Sequence, residues 1–210
     1  MRGGFITFEG IEGSGKTTQI GLLSQALHAR SVAHVLTREP GGTPTGESIR
    51  SLLLDPATRL SAPAELLLYA AARAEHLERV IRPALASGRI VLCDRYLDAT
   101  RAYQGAGRGL PLAWIEAIHA LEPLRLAPDT TLLLDLDPAL GLERARGRNA
   151  RAKHDEGRFE AEDLPFHRLV REGYLALAKA EPQRFRVIDA WGKPEAVQRR
   201  IQEALCISAA

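Results

Sequence analysis

The sequence predicts an α/β fold in which a five-stranded parallel sheet carries helices on both faces. Five short apolar runs alternate with longer amphipathic stretches, and a glycine-rich loop follows the first run. Continuous apolar runs of this kind are typical of parallel strands that are buried on both faces. The amphipathic stretches between them favour helical crossovers. Ligands of such sheets bind beyond the carboxyl ends of the strands, so the site is expected there.

The five predicted strands are each five or six residues long and span 5–9, 33–37, 90–94, 130–135 and 185–189. Helices are predicted wherever apolar residues recur at intervals of three or four. They span 16–30, 64–86, 112–121, 139–146, 164–179 and 195–205. Polar residues end the first four strands, at Glu9, Thr37, Asp94 and Asp135.

The length of 210 residues and the hydrophobic content of 45% predict a single domain, 1–210, with a short lid at about 144–160. A net charge of +2 argues against a nucleic-acid partner, although 24 of the 28 basic residues are Arg. The longest apolar run, 66–72, is too short to cross a membrane, and the N-terminus lacks the apolar segment of a signal peptide. The two cysteines, Cys93 and Cys206, have no metal-binding spacing, which favours a reducing cytoplasm.

The segment from Gly10 to Thr17 matches G-x-x-x-x-G-K-[ST], the pattern of a phosphate-binding loop between a strand and a helix. Lys16 is expected to reach the β- and γ-phosphates of ATP, and Thr17 is expected to offer a hydroxyl to Mg²⁺. The pattern therefore predicts a P-loop NTPase fold. The predicted ATP-binding residues are Gly10, Ile11, Glu12, Gly13, Ser14, Gly15, Lys16, Thr17 and Thr18.

Two arginines at strand ends indicate a second substrate that carries a phosphate. Arg38 follows the second predicted strand and Arg95 follows the third, so both are expected beside the phosphate loop. Arg binds phosphate with two parallel hydrogen bonds, although strand-end arginines are also common salt-bridge residues. The sequence has no N-K-x-D, D-x-x-G switch or L-S-G-G-Q motif, which disfavours a GTPase or an ABC subunit.

The ordered motifs resemble those of thymidylate kinases of the bacterial type, from about residue 4 to residue 200. The residues that carry the resemblance are Glu9 to Thr18, Thr37 to Gly42, Ala71 to Arg73, Asp94 to Tyr96, Ala102 to Gly105 and Pro128 to Leu136. The resemblance implies phosphorylation of dTMP to dTDP by ATP with Mg²⁺, for DNA precursor synthesis. It also implies a homodimer and a mobile lid.

The resemblance assigns the base side of the dTMP site to two neighbouring helical segments. It implies that the ring of Tyr69 stacks against thymine and that Arg73 contacts a thymine carbonyl. The four-residue spacing of this pair places both side chains on one helix face. Thr100 and Gln104 are weaker candidates for base contacts.

The resemblance assigns the phosphate and sugar contacts to residues near the strand ends. It implies that Arg95 grips the dTMP phosphate with help from Arg38, and that Glu12 approaches the sugar 3′-hydroxyl. Tyr103 is expected near the sugar 2′ position, where its ring excludes a hydroxyl. Asp94, at the end of its strand, is expected to hold a Mg²⁺-bound water or the phosphate-gripping arginine.

An arginine-rich run between residues 144 and 158 is the predicted lid. The interior of the phosphate loop has no arginine, and in the family this subtype takes a catalytic arginine from the lid. Arg148 and Arg151 are the favoured candidates, with Arg144 and Arg146 as alternatives. Lys16, Arg95 and the lid arginine are thus the expected catalytic groups.

Two alternatives remain open from the sequence. Another nucleoside or deoxynucleoside monophosphate kinase could use the same fold with a different acceptor. An ATP-dependent switch could hydrolyse ATP without any acceptor, although it would have no use for a second phosphate site at Arg38 and Arg95.

Overall fold

A computed structural model describes residues 4–149 and 157–207, and its sheet is the predicted one. The strands are β1 (Phe5–Glu9), β2 (His34–Arg38), β3 (Ile90–Asp94), β4 (Thr130–Asp135) and β5 (Phe185–Asp189). All four pairings are parallel, and the strand order is β2-β3-β1-β4-β5. The second strand differs slightly from the prediction because its pairing with β3 extends to Arg38 opposite Asp94.

The helices are α1 (Lys16–Ala29), α2 (Pro44–Leu54), α3 (Ala62–His76), α4 (Arg82–Ala86), α5 (Leu97–Thr100), α6 (Leu112–His119), α7 (Pro138–Asn149), α8 (Leu164–Ala180) and α9 (Pro194–Ala204). A π-helical segment, Leu77–Ile81, joins α3 to α4, so the single helix predicted over 64–86 is confirmed in outline. A second π-helical segment, Arg101–Gly107, continues α5, and a 3₁₀ turn spans Glu122–Leu124. In the described part of the chain, no helix is both long enough and apolar enough to cross a membrane.

Two helices were not predicted. The first is α2, whose N-terminus is capped by Thr43: the side-chain oxygen accepts a hydrogen bond of 2.9 Å from the Gly46 N–H. Pro44 occupies the first turn, where its missing N–H costs nothing. The second is α5 with its π-helical continuation, which begins directly after the Asp94-Arg95-Tyr96 turn.

The central strand β1 is buried on both faces. Phe8 packs into one apolar cluster with Leu92 of β3, and Phe5 packs into a second cluster with Val91. This two-sided burial explains why the strands are continuous apolar runs rather than alternating ones. The acidic residues of β1, β3 and β4 stand at the carboxyl ends of these strands, which form one edge of the sheet.

A buried ion-pair network ties the helix after β3 to the turn before β5. The Asp98 carboxylate is 1% exposed and accepts hydrogen bonds from Arg184 at 2.5 and 3.0 Å. It also accepts from Arg101 Nη1 at 3.0 Å and from Thr131 Oγ1 at 3.2 Å. Asp98 therefore compensates two arginines at one buried point.

We expect Asp98→Ala to lower the free energy of unfolding by about 3–5 kcal/mol, because it removes the buried partner of Arg184 and Arg101 and leaves them only the more exposed carboxylates of Glu181 and Glu116. Chemical denaturation followed by circular dichroism measures this change. The control is Glu75→Ala, which removes a carboxylate from the exposed Arg79–Glu75 pair at 3.6 Å and should cost less than about 1 kcal/mol. Equal losses in the two variants would contradict a stabilising role for the buried network.

Candidate active site

A cleft of about 560 Å³ opens at the carboxyl ends of β1, β2 and β3, where the sequence predicts the site. The predicted residues that line it are Glu12, Gly13, Gly15, Lys16, Thr17, Thr18, Arg38, Tyr69, Arg73, Asp94, Arg95, Tyr103 and Gln104. Among the predicted residues whose side chains the structure describes, Gly10, Ile11, Ser14 and Thr100 do not line it. The cleft thus brings the predicted ATP-binding and substrate-binding residues into one space.

The phosphate loop has a backbone that requires glycine. Gly13 has φ +69°, and a side chain there would collide with the carbonyl oxygen of Gly141 in α7. Gly15 has φ +93° and stands at the start of α1. The loop therefore delivers the chain into a helix N-terminus, a position that favours anions.

Lys16 is buried within the loop. Its Nζ donates hydrogen bonds to the carbonyl oxygens of Gly10 at 2.9 Å and Ile11 at 2.8 Å. Burial, followed by the positive charge of Arg95, lowers the pKa of Lys16 to about 8. The ammonium is thus held in the loop at a point where added negative charge would stabilise its protonated form.

Thr17 and Asp94 meet at the mouth of the loop. Thr17 Oγ1 donates a hydrogen bond of 3.1 Å to Asp94 Oδ2, so the first residues of α1 and the last residue of β3 are joined. A hydroxyl and a carboxylate are oxygen ligands, which suit Mg²⁺ when phosphates and waters complete its shell. The described residues contain no cluster of three or more His, Cys, Asp or Glu side chains that could enclose a metal alone. The pair fits a Mg²⁺ ion shared with a nucleotide.

Arg95 occupies an unusual backbone conformation at the cleft. Its φ is +68°, in the left-handed region that residues with a side chain rarely adopt. Its guanidinium donates to Glu12 Oε1 at 2.8 Å, to Tyr103 Oη at 3.0 Å and to Tyr174 Oη at 3.3 Å. It also lies over the Tyr103 ring, 4.7 Å from the centroid. These contacts hold the guanidinium at the cleft wall.

Glu12 is an acid among cations. Burial by itself raises the pKa of Glu12. The opposing effect of its neighbours is larger, so the net pKa lies well below the usual range; these neighbours are Arg95, His167, Lys16 and Tyr103. Tyr103 Oη lies 2.6 and 2.7 Å from its two oxygens. Glu12 is therefore a carboxylate at every working pH, and it sets the position of both Arg95 and Tyr103.

Arg73 lies at the base of the cleft and is 1% exposed. It donates to Glu39 Oε2 at 2.7 Å and to Thr100 Oγ1 at 3.1 Å, and its Nη1 is 2.6 Å from His119 Nε2. Burial and Arg73 lower the pKa of His119 to about 4, so the neutral ring accepts from Arg73 while its Nδ1 donates to Ile115 O at 2.7 Å. Thr100 is thus a partner of Arg73 behind the cleft wall.

The remaining acceptor-side candidates line the cleft at different depths, from the half-exposed Arg38 to the buried Gln104. Arg38 is half exposed and pairs with Glu47 at 2.8 Å. Tyr69 is partly buried, and Gln104 donates to Glu65 Oε1 at 2.8 Å. Phe159 also lines the cleft and packs edge-on against Tyr103 at 5.3 Å.

The lid candidates are only partly described. Arg151 and the side chain of Arg148 lie outside the described residues, so both stay predictions. The alternatives Arg144 and Arg146 are exposed on α7. Beyond this segment, Arg158 Nη2 lies 2.6 Å from the buried Glu65 carboxylate, and its Nη1 donates to Leu53 O at 3.0 Å.

Comparison with known proteins decides the family. A model of the family described as thymidylate kinase matches residues 8–201. The chain belongs to the thymidylate kinase family. Its activity is the phosphorylation of dTMP to dTDP, which favours the first prediction over another monophosphate kinase or an ATP-dependent switch.

Individual relatives match this chain in sequence over almost its whole length. A thymidylate kinase of Solidesulfovibrio magneticus is 54% identical over 200 residues, 94% of this chain and 96% of the relative. One from Pelobacter propionicus is 55% identical over 201 residues, 95% of this chain and 92% of the relative. The crystal structure of thymidylate kinase from Ehrlichia chaffeensis aligns with a TM-score of 0.79 at 35% identity and covers 98% of this chain and all of that one.

Several side chains of this kinase site were missed by the sequence reasoning. Tyr174 and His167 come from α8, His119 comes from α6, and Glu39 follows β2. Glu39 stands inside the matched Thr37 to Gly42 motif, so its motif could have flagged it. The other three carry no local pattern and reach the site only because their helices pack there.

We expect Lys16 to take up a proton when ATP binds at about pH 8.5. Part of the Lys16 population is neutral there because its pKa is about 8, and phosphate oxygens beside the ammonium raise that pKa. ATP affinity should therefore fall as the pH rises through about 8. Titration calorimetry in two buffers of different ionisation enthalpy measures the uptake. Tight ATP binding at pH 8.5 without proton uptake would contradict this account of Lys16.

Proposed function

We propose that this cleft transfers the γ-phosphoryl group of ATP in line to the phosphate of dTMP, with Mg²⁺ as the cofactor. The observation that carries the proposal is the common position of Lys16 and Arg95, which line one cleft from two different loops. Lys16 is buried and Arg95 is partly buried, and each cation can meet a different phosphate. Glu12 lies between their charges and lowers the repulsion.

The donor side is built from the phosphate loop and α1. The backbone N–H groups of the loop and the positive end of α1 hold the phosphates of ATP, and Lys16 binds the oxygens that gain charge during transfer. Thr17 and Asp94 are the residues that would hold Mg²⁺. When bound, Mg²⁺ supplies positive charge beside the β- and γ-phosphate oxygens.

The acceptor side is built from Arg95 and the aromatic residues around it. We assign the dTMP phosphate to Arg95, assisted by Arg38, and the thymine to Tyr69, Arg73 and Gln104. The acceptor phosphate is already an anion, so no general base is required. Positioning and charge neutralisation supply the rate enhancement.

The sugar contacts follow from the Glu12–Tyr103 pair. Glu12 is an ionised acceptor suited to a 3′-hydroxyl, and Tyr103 is held against it by its single hydroxyl proton, which the two Glu12 oxygens share at 2.6 and 2.7 Å. A ring fixed in this way leaves no freedom to accommodate a 2′-hydroxyl, which supports selection of deoxyribose.

The lid arginine, the homodimer and the cytoplasmic location stay predictions. Arg148 or Arg151 is the proposed lid group that neutralises the transferring phosphoryl. The family resemblance supports the dimer, which sedimentation equilibrium tests. The two cysteines, both free thiols, are in keeping with a reducing cytoplasm.

The experiment that tests the acceptor assignment is a coupled ADP-release assay with dTMP, dUMP, dCMP, AMP and GMP, and with no acceptor. We expect a clear preference for dTMP and negligible ADP release without an acceptor. A preference for another monophosphate, or release that does not depend on an acceptor, would contradict the proposed roles of the acceptor-side residues.

We expect Lys16→Ala to lower kcat about 100-fold or more, because it removes a preorganised charge from the transferring phosphate. The fold should be retained, as judged by the melting temperature. Lys179→Ala is the matched control, since Lys179 is exposed near the end of α8. Near-normal turnover of Lys16→Ala would rule out the proposed role of Lys16.

A further inference from the structure

The left-handed backbone of Arg95 needs something to hold it. A residue with a side chain pays a steric cost at φ +68°, and such conformations persist only where the surrounding structure enforces them. The Arg95 N–H donates to Phe8 O at 2.9 Å. The next N–H along the chain, that of Tyr96, donates to Glu9 Oε1 at 2.7 Å. Both backbone donors at the turn are thus tied to the end of β1.

The second oxygen of Glu9 reaches the other end of Arg95. Tyr174 Oη donates to Glu9 Oε2 at 2.7 Å and accepts from Arg95 Nη1 at 3.3 Å. One carboxyl group therefore contacts the backbone after Arg95 directly and the Arg95 guanidinium through a single tyrosine. Glu9 is 0% exposed and Tyr174 is 1% exposed, so water does not compete for these contacts.

Glu9 is fully buried and does not line the cleft, so it lies behind the cleft wall. We propose that Glu9 is a positioning residue for phosphoryl transfer, which fixes the backbone and the guanidinium of Arg95 in the orientation that receives the dTMP phosphate. This proposal rests on the role assigned to Arg95 above. Tyr174 is the second positioning residue, because its hydroxyl connects Glu9 to the Arg95 guanidinium.

The test measures the dissociation constants of dTMP and ATP by titration calorimetry for Glu9→Leu, Glu9→Gln and Tyr174→Phe. Glu9→Leu removes both acceptors and should weaken dTMP binding about 10-fold, with ATP binding changed by less than about 2-fold. Glu9→Gln keeps an oxygen for the Tyr96 N–H and should restore most of the affinity. Tyr174→Phe keeps the ring packing and should weaken dTMP binding about 3-fold.

The control is Thr7→Val on the same strand. Thr7 is also 0% exposed, and its hydroxyl bonds only to that of Thr131 at 2.9 Å among the described contacts, away from Arg95. This variant should bind dTMP as the wild type does. Melting temperatures identify any variant that does not fold, and Tyr174→Phe then carries the test.

A double-mutant cycle separates positioning from general structural damage. Arg95→Gly removes the guanidinium and is free of steric cost at positive φ. In that background Glu9→Leu and Tyr174→Phe should have little further effect on dTMP binding. An undiminished effect there, equal weakening of ATP binding, or a Glu9→Gln as damaged as Glu9→Leu would overturn the proposal.

The same measurements keep this proposal distinct from the role of Arg95 itself. If Arg95→Gly binds dTMP as tightly as the wild type, the assignment of Arg95 to the acceptor phosphate fails, and the positioning role of Glu9 fails with it. If Arg95→Gly is weakened while folded Glu9→Leu and Tyr174→Phe are normal, only the positioning role fails.

Discussion

The parallel pairing of β1 with β3 is the constraint on which the site depends. Phe8 lies opposite Asp94, so the chain leaves β1 as the phosphate loop at the level where β3 ends. This places Asp94 within hydrogen-bond distance of Thr17 of α1, and Arg95 within hydrogen-bond distance of Glu12 of the loop. The residues proposed for the donor side and for the acceptor side are brought together by backbone hydrogen bonds, before any substrate adds its own contacts. A shift of this pairing by one residue would turn both side chains to the opposite face.

Burial of charge is the second theme of the structure. Two carboxyl groups, Glu9 and Glu12, lie within one network and have opposite behaviour. Burial, followed by the negative charge of Asp98, raises the pKa of Glu9 to about 8. The cations around Glu12 hold the pKa of that carboxylate far below its usual range. The difference in surroundings makes Glu9 a structural hydrogen-bonding group and Glu12 a fixed anion. The cost of burying these polar groups is offset because each has several partners at short distance.

Local patterns explain which parts of this site could be predicted. Lys16 and Thr17 belong to a contiguous motif whose spacing encodes its geometry, and Arg95 follows an apolar run that is typical of a buried strand. The strands were predicted to within one residue because two-sided burial imposes an unbroken apolar run. By contrast, α2 begins at a Thr43 cap followed by Pro44 and Gly46. Proline and glycine so close together are typical of a turn, so the sequence did not predict this helix. Tyr174 reaches the site through the packing of α8, a relation between distant segments that no local pattern encodes.

The anchoring of Arg158 on Glu65 ties the arginine-rich segment to the acceptor site. Glu65 is buried and also receives Gln104, while Phe159, the next residue, packs on Tyr103. The downstream end of the segment, from Arg158 to Phe159, is therefore built into the wall of the cleft, so a substitution at Glu65 would disturb this wall and the anchor of Arg158 together.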